Sequence, residues 1–272
     1  MTAEAIVAQT LTAGDPAVQL RQTRFRQALA AAWGVREGDR LLEIGCGQGD
    51  TTAVLAATGA TVIALDPAPP GYGAPFTLGA ATAHLAASSL GERIEFRLAT
   101  DPLAAEFPDD AFDAVVLAHC AWYFPSVETL RRTLERVRSW ANRLLLSEWD
   151  LAPTPDSLAH LLAVVVQGEV EAYRPASESN VRTPLTRARL RSLVEASGWR
   201  VVRDETVDSS GLDDGRWEVE SCLRASLEAS AALGLPPRLQ DFLGTQVEIL
   251  RAMGPGRSLS SFALVAERID AS

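Results

Sequence analysis

Acids set at particular points around a glycine-rich turn are the first sign of chemistry in this chain. The turn is RLLEIGCGQGDTT, Arg40 to Thr52, with Glu43 among apolar residues, then Gly45, Gly47 and Gly49, and Cys46 as a small residue in the crowded middle. A dinucleotide turn needs the order G-x-G-x-x-G. Here the order is G-x-G-x-G, and Asp50 stands where the third dinucleotide glycine belongs. A carboxylate at the start of a helix repels a pyrophosphate there and makes a good N-cap. The turn therefore reads as one that approaches a nucleotide closely but does not suit a diphosphate. Glu43 needs a partner, because unpaired buried charge is costly, and a cationic ligand group would suit it. Asp66, followed by Pro67 in VIALDP, sits where an acid accepts both hydroxyls of a ribose. Asp101, followed by Pro102 and Leu103 in ATDPL, combines an acid for an adenine amino group with an apolar residue for the ring face.

A second group follows in LAHCAWYFPS and SEWD. His119 suits a base, an orienting donor or part of a cofactor shell. Trp122 and Tyr123 suit stacking on a substrate or shielding a cation by cation–π contact, and ordinary core packing accounts for them equally. Cys120 reads as core. Glu148 and Asp150 suit amine binding or deprotonation, with helix capping and solvation as the plain alternative. Tyr173 and Arg174, in EAYRPAS, are candidates for the entrance or simply surface residues. The catalytic candidates are His119, Tyr123 and Glu148; the substrate-binding candidates are Trp122, Tyr123 and Tyr173.

Composition narrows the chemistry. The chain has no lysine, so all 25 basic residues are arginine. A Schiff-base lysine and the phosphate-gripping lysine of a P-loop are both excluded. Three cysteines without a CxxC pair point to a reducing, cytoplasmic setting without a disulfide framework. His84, His119 and His160 have no metal-ligand spacing, so no metal site is expected. A net charge of -10 argues against nucleic acid and anionic membrane as main partners. No segment reads as a signal peptide or a membrane span.

Alternating elements must position these residues. A helix over 15–33 precedes the strand RLLEI. Then follow a helix over Asp50–Thr58, the strand TVIAL, a helix over Thr77–Leu90 and the strands IEFRL and FDAVVLA. A helix over Val127–Trp140 and the strand NRLLLSE complete the first part. Short apolar strands alternating with helices predict a mostly parallel sheet covered on both faces. After Glu148, prolines punctuate helices at 156–173 and 186–197 before the strand WRVVRDETV. Two more helices over 212–253, broken by GLPP, precede the closing strand SSFALVAERI.

LLEIGCGQGD, VIALDP, FRLATDPL and FDAVVLAHCAWYF resemble the successive motifs of the class I S-adenosylmethionine (SAM) dependent methyltransferases. The resemblance covers residues 38–150 well and returns weakly at LTRARLRSLVEASGWRVV and SFALVAER. It implies an α/β Rossmann-like fold with a seven-stranded, mostly parallel sheet, and SAM as cofactor. The cofactor shell it implies is Glu43, Gly45, Cys46, Gly47 and Gly49 at the methionine portion, Asp66 and Pro67 at the ribose, Asp101, Pro102 and Leu103 at the adenine, with His119 beside them.

Two departures from the family stand out. The loop PAPPGYGAPFT (67–77) follows the second strand, as a pocket wall or a plain insertion. About fifty residues (208–259) separate the last two strands, which the family joins by a short hairpin. The expected organisation is one SAM-binding domain over 1–272, with an N-terminal helical segment (1–37) and helical insertions at 151–197 and 208–259 capping the site. A helical pair packed on the sheet edge fits the last insertion equally. The expected function is methyl transfer to a small molecule on nitrogen, oxygen or carbon, by a monomer or homodimer. Two alternatives stay open. One is non-methylating SAM chemistry, such as ring closure to azetidine-2-carboxylate with release of methylthioadenosine. The other is a SAM-binding protein without turnover.

Overall fold

Runs such as RLLEI and AVVLA are too apolar for a half-solvated strand, and each folds as an interior strand of a sheet covered on both faces. The computed structural model describes residues 1–174, 177 and 179–269. Helix α1 (Ala3–Val7) and α2 (Pro16–Trp33) lead into β1 (Arg40–Ile44), α3 (Asp50–Ala57), β2 (Thr61–Asp66), α4 (Leu78–Ala86) and β3 (Ile94–Leu98). Then come β4 (Ala114–Ala118), α5 (Val127–Arg136), β5 (Arg143–Trp149), α6 (Leu158–Glu171), α7 (Arg187–Ala196) and β6 (Trp199–Val207). Helices α8 (Asp214–Ala232) and α9 (Pro237–Met253) and strand β7 (Ser261–Arg268) close the chain. The sheet order is β3-β2-β1-β4-β5-β7-β6. Strand β7 runs antiparallel to both its neighbours, and the other pairings are parallel.

Alternate residues of each strand feed opposite faces of the sheet. Leu41 packs with Phe25, Leu29 and Trp33 of α2 and with Val54 and Leu55 of α3. Leu42 and Ile44 pack on the other face with Leu130 and Leu134 of α5 and Leu190 and Val194 of α7. Each such side chain, buried completely, contributes roughly 1.5–3 kcal/mol.

A third core joins helices far apart in sequence. Ala163, Val166 and Val170 of α6 pack with Val219 and Cys222 of α8 and with Leu243, Val247 and Leu250 of α9. The second insertion thus packs on part of the first and shares one apolar core with it. The first insertion divides: α6 joins this bundle, whereas α7 covers the sheet. The bundle is held to α2 by polar contacts, Arg21 to Asp213 at 2.5 Å and Gln22 Nε2 to Asp214 Oδ2 at 2.6 Å.

Several boundaries differ from the sequence reading. The N-terminal helical segment expected over 1–37 holds two helices, the short α1 and then α2. Helix α4 stops at Ala86, where Ser88 Oγ donates to the Leu85 carbonyl and competes with the helical ladder. Helix α5 ends at Arg136 and tightens into a 3₁₀ turn over Val137–Ser139. Strand β4 starts at Ala114, with Phe112 making only an isolated bridge to Ala141. Asp50 is not an N-cap. Gly49, with φ of 88°, holds that position, and Asp50 is the first helical residue, accepting from Gln19 Nε2 at 2.6 Å.

Candidate functional site

The carboxyl ends of β1, β2 and β4 open into a cavity of about 660 Å³. That volume lies within the range of small-molecule sites. One wall is the glycine turn. A Cβ at Gly45 would stand 2.8 Å from Cys120 Cβ, and one at Gly49 would press on Leu85 and Phe96 at 3.1 Å. Those two glycines let the turn pack tightly. Gly47 differs. Its φ is 54°, it lies on the cavity wall, and a Cβ there would meet nothing within 4 Å. Its missing side chain leaves a cradle open toward the cavity.

Asp66 is 8% exposed on that wall. Its Oδ2 accepts from Gly47 N–H and its Oδ1 from Ala68 N–H, each at 2.8 Å. A carboxylate offers about four lone-pair sites, so capacity for two further donors remains. Pro67, Ala68, Pro69 and Tyr72 continue the wall, so the loop after β2 lines the cavity. Asp101 and Pro102 stand on the wall beyond β3, with Asp101 Oδ1 accepting from Leu103 N–H at 2.8 Å.

Not every expected shell residue reaches the cavity. Glu43 is 1% exposed behind the turn, and its Oε2 accepts from Thr52 Oγ1 at 2.6 Å. Burial, the largest cause, raises its carboxyl from 4.5 to about 7, so a buried hydroxyl rather than a cationic ligand partners it. Gly49 and Leu103 also stay off the wall, and Tyr173 lies 54% exposed outside it. Cys46 and Cys120 lie on the wall, but burial pushes both thiols up and keeps them protonated.

The far side of the cavity is aromatic and acidic. Trp149 lies between two histidines, with ring centroids 4.6 Å from His119 and 5.4 Å from His160, and it stacks on Phe25 at 6.4 Å. His119 has φ of 50°. Its Nε2 meets Ser261 Oγ at 3.0 Å, and that hydroxyl donates to the Glu148 carbonyl at 3.1 Å. Nε2 is therefore the donor of the pair. Nδ1 faces Glu148 Oε1 at 3.5 Å. Nε2 is spent on Ser261, while Nδ1 makes no hydrogen bond, so its buried lone pair is unpartnered among the described residues. Glu148 is similarly engaged, accepting from Trp149 N–H at 3.0 Å and Trp122 N–H at 3.4 Å. These contacts make His119 and Glu148 braces of the cavity wall. Trp122 and Tyr123 do line the cavity. Tyr123 is 43% exposed, and its phenol is a neutral donor at physiological pH.

Sequence reasoning missed Gln22, Phe25 and Arg26 from α2, His160 from α6, and Asp214 and Glu218 from α8, all on the wall. Asp214 and Glu218 are four residues apart and so share a helix face; that spacing was the available signal. Gln22 and Gln167 donate to them at 2.6 and 2.8 Å. Desolvation raises both carboxyl pKa values above their ordinary ones. Among the described residues, six carboxylates line the cavity (Asp50, Asp66, Asp101, Glu148, Asp214, Glu218) against the two guanidiniums of Arg26 and Arg182. That balance favours a cationic ligand over a phosphate. Among the described residues, no group of three or more His, Cys, Asp or Glu side chains is placed to hold a metal, and no helix is long and apolar enough to cross a membrane.

The family model for a methyltransferase domain matches residues 18–204. The chain belongs to the class I SAM-dependent methyltransferase family. Among family relatives, methyltransferase phomM' of Diaporthe leptostromiformis is 34% identical over 75% of this chain. The match spans 65% of that relative's length. A demethylmenaquinone methyltransferase of Thermus thermophilus is 31% identical over 60% of this chain and 74% of its own. The crystal structure of a cyclopropane-fatty-acyl-phospholipid synthase-like protein from Lactobacillus casei superposes with a TM-score of 0.86 at 34% identity, over 97% of this chain and 98% of that one. The fold also recurs in the [4+2]-cyclase SpnF, with a TM-score of 0.56 at 16% identity, over 92% of this chain and 82% of that one.

Proposed function

We propose that this methyltransferase moves the methyl group of SAM to a small-molecule acceptor enclosed between the carboxyl edge of the sheet and the helical bundle of α6, α8 and α9. One observation carries the reading. A single cavity of about 660 Å³ is lined both by the Gly47 cradle, Asp66 and Asp101 and by His160, Asp214 and Glu218.

The residues present fit SAM. The open cradle at Gly47 admits the amino-acid portion, and the spare lone pairs of Asp66 suit the ribose hydroxyls. Asp101 keeps Oδ2 for an adenine amino group, and the acidic lining suits a cation without phosphates. When bound, SAM supplies a methyl group on positively charged sulfur. The chain's own contribution is alignment and exclusion of water. Phe25, Trp122 and Trp149 form apolar walls, and the His119–Glu148–Ser261 contacts hold Trp149 and Trp122 in place. Asp214 and Glu218, with raised carboxyl pKa values, are the cavity groups suited to take a proton from an acceptor.

Product analysis tests the reading. The protein is incubated with SAM, with and without candidate acceptors, and the nucleoside released is identified. S-adenosylhomocysteine formed only with an acceptor supports it. Methylthioadenosine formed without an acceptor overturns it in favour of ring closure within SAM.

A further inference from the structure

The cavity wall carries two buried donors with nothing to donate to. His160 of α6 is 0% exposed and lies on the cavity wall. Its Nδ1 accepts from the Leu259 N–H at 2.9 Å, which places the proton on Nε2. That Nε2–H has no hydrogen-bond partner among the described residues. Burial, then His119, lowers the His160 pKa to about 4, so the ring is neutral at physiological pH. Trp122 is 3% exposed on the same wall, and its Nε1–H also lacks a partner among the described residues. Both rings are neighbours of Trp149. Buried polar groups in folded proteins are nearly all paired, and two orphans on residues that line one cavity point to a place where a ligand supplies the partners.

The chemistry of those partners follows from charge. Both groups are neutral and both only donate, so they select an acceptor atom. Glu148, Asp214 and Glu218 share the wall and oppose an anion there. A cation has no lone pair to offer the two N–H groups. What remains is an uncharged acceptor, and a carbonyl-type oxygen, with two lone pairs for two donors, fits best.

We infer that the methyl acceptor presents neutral carbonyl-type oxygen, as in an amide, ketone or ester, to the Nε2–H of His160 and the Nε1–H of Trp122. This rests on the methyl-transfer reading above and adds to it the class of group that is recognised. The two donors orient the acceptor from the bundle side, while Phe25, Trp149 and Val181 enclose its apolar part.

The test uses the full chain saturated with S-adenosylhomocysteine and four probes of similar size: acetophenone, ethylbenzene, benzoate and 1-phenylethylammonium. Binding is followed through the indole N–H signal of Trp122 and the imidazole nitrogens of His160. Acetophenone should bind roughly three- to tenfold more tightly than ethylbenzene, as expected for a neutral hydrogen bond. It should also bind more tightly than either charged probe. Trp122→Phe, which removes Nε1–H and keeps an aromatic ring, should reduce that preference. The nitrogen spectrum of the free protein should show His160 as the neutral Nε2–H form. Equal affinity for acetophenone and ethylbenzene, as when water satisfies both donors, overturns the inference. So does tighter binding of a charged probe, an Nδ1–H or charged His160, or an unchanged preference in Trp122→Phe. Failure of the wild-type chain to bind S-adenosylhomocysteine would instead strike the methyl-transfer reading itself.

Discussion

Replacing Glu43 with glutamine should change how folding stability depends on pH, by an amount the structure sets. Glu43 lies beneath the glycine turn, 1% exposed, with only the Thr52 hydroxyl as its hydrogen-bond partner among the described residues. Desolvation raises its pKa from 4.5 in the unfolded chain to about 7 in the folded one. Between those values the folded state binds more protons than the unfolded state, so stability falls as pH rises. The difference from 4.5 to about 7, taken at about 1.36 kcal/mol per pH unit, amounts to about 3 kcal/mol. Glutamine keeps an oxygen for Thr52 and cannot titrate. Urea unfolding of the ligand-free protein across the acid-to-neutral range is the assay. The stability of the wild type relative to Glu43→Gln should fall by about 3 kcal/mol between the unfolded and folded pKa values and level off above them. Parallel curves for the two proteins would refute the assignment of Glu43 as a desolvated, ligand-independent acid.

The glycine turn gives a contrasting pair. Gly45→Ala drives a Cβ to 2.8 Å from Cys120 Cβ at φ of 76°. It should cost about 2–5 kcal/mol of stability from strain and overpacking together. Gly47→Ala meets no protein atom within 4 Å. It should cost only about 1–2 kcal/mol of stability, the strain of a left-handed backbone. Its affinity for S-adenosylhomocysteine should nevertheless fall roughly tenfold. Thermal unfolding and calorimetry separate the two effects. His119→Phe should retain measurable turnover once an acceptor is known, because Nε2 is spent on Ser261 and the Nδ1 lone pair is buried against Glu148. Loss of turnover with unchanged KM and unchanged stability would restore His119 as the base.

The sheet and the cavity wall around the glycine turn were legible because they are local. Glu43 to Gly49 is one strand and one turn, and Asp66 and Asp101 follow directly from strands whose apolar runs mark their ends. Even there, the sequence could not say which side of the turn a residue faces. Glu43 and Gly49 turned inward, whereas Gly47 opened to the cavity. The bundle side of the cavity was not legible. His160 lies on an apolar helix where period alone does not separate core from cavity, and its tautomer is fixed by Leu259, about a hundred residues on. Asp214 and Glu218 reach the site only because α6, α8 and α9 share one core, a long-range pairing with no local signature. The outward position of Tyr173 likewise depends on where α6 ends relative to the bundle.

Calorimetric titration of S-adenosylhomocysteine into the wild type and into Asp66→Ala tests the central claim most directly. Two hydrogen bonds from ribose hydroxyls to a carboxylate, at roughly 1.5–3 kcal/mol each, make the expected loss about 3 kcal/mol or more, a roughly hundredfold weaker dissociation constant. Saturable binding by the wild type and that loss in the variant are the predicted result. No binding by the wild type, or equal binding by both proteins, would contradict a cofactor held at the tip of β2.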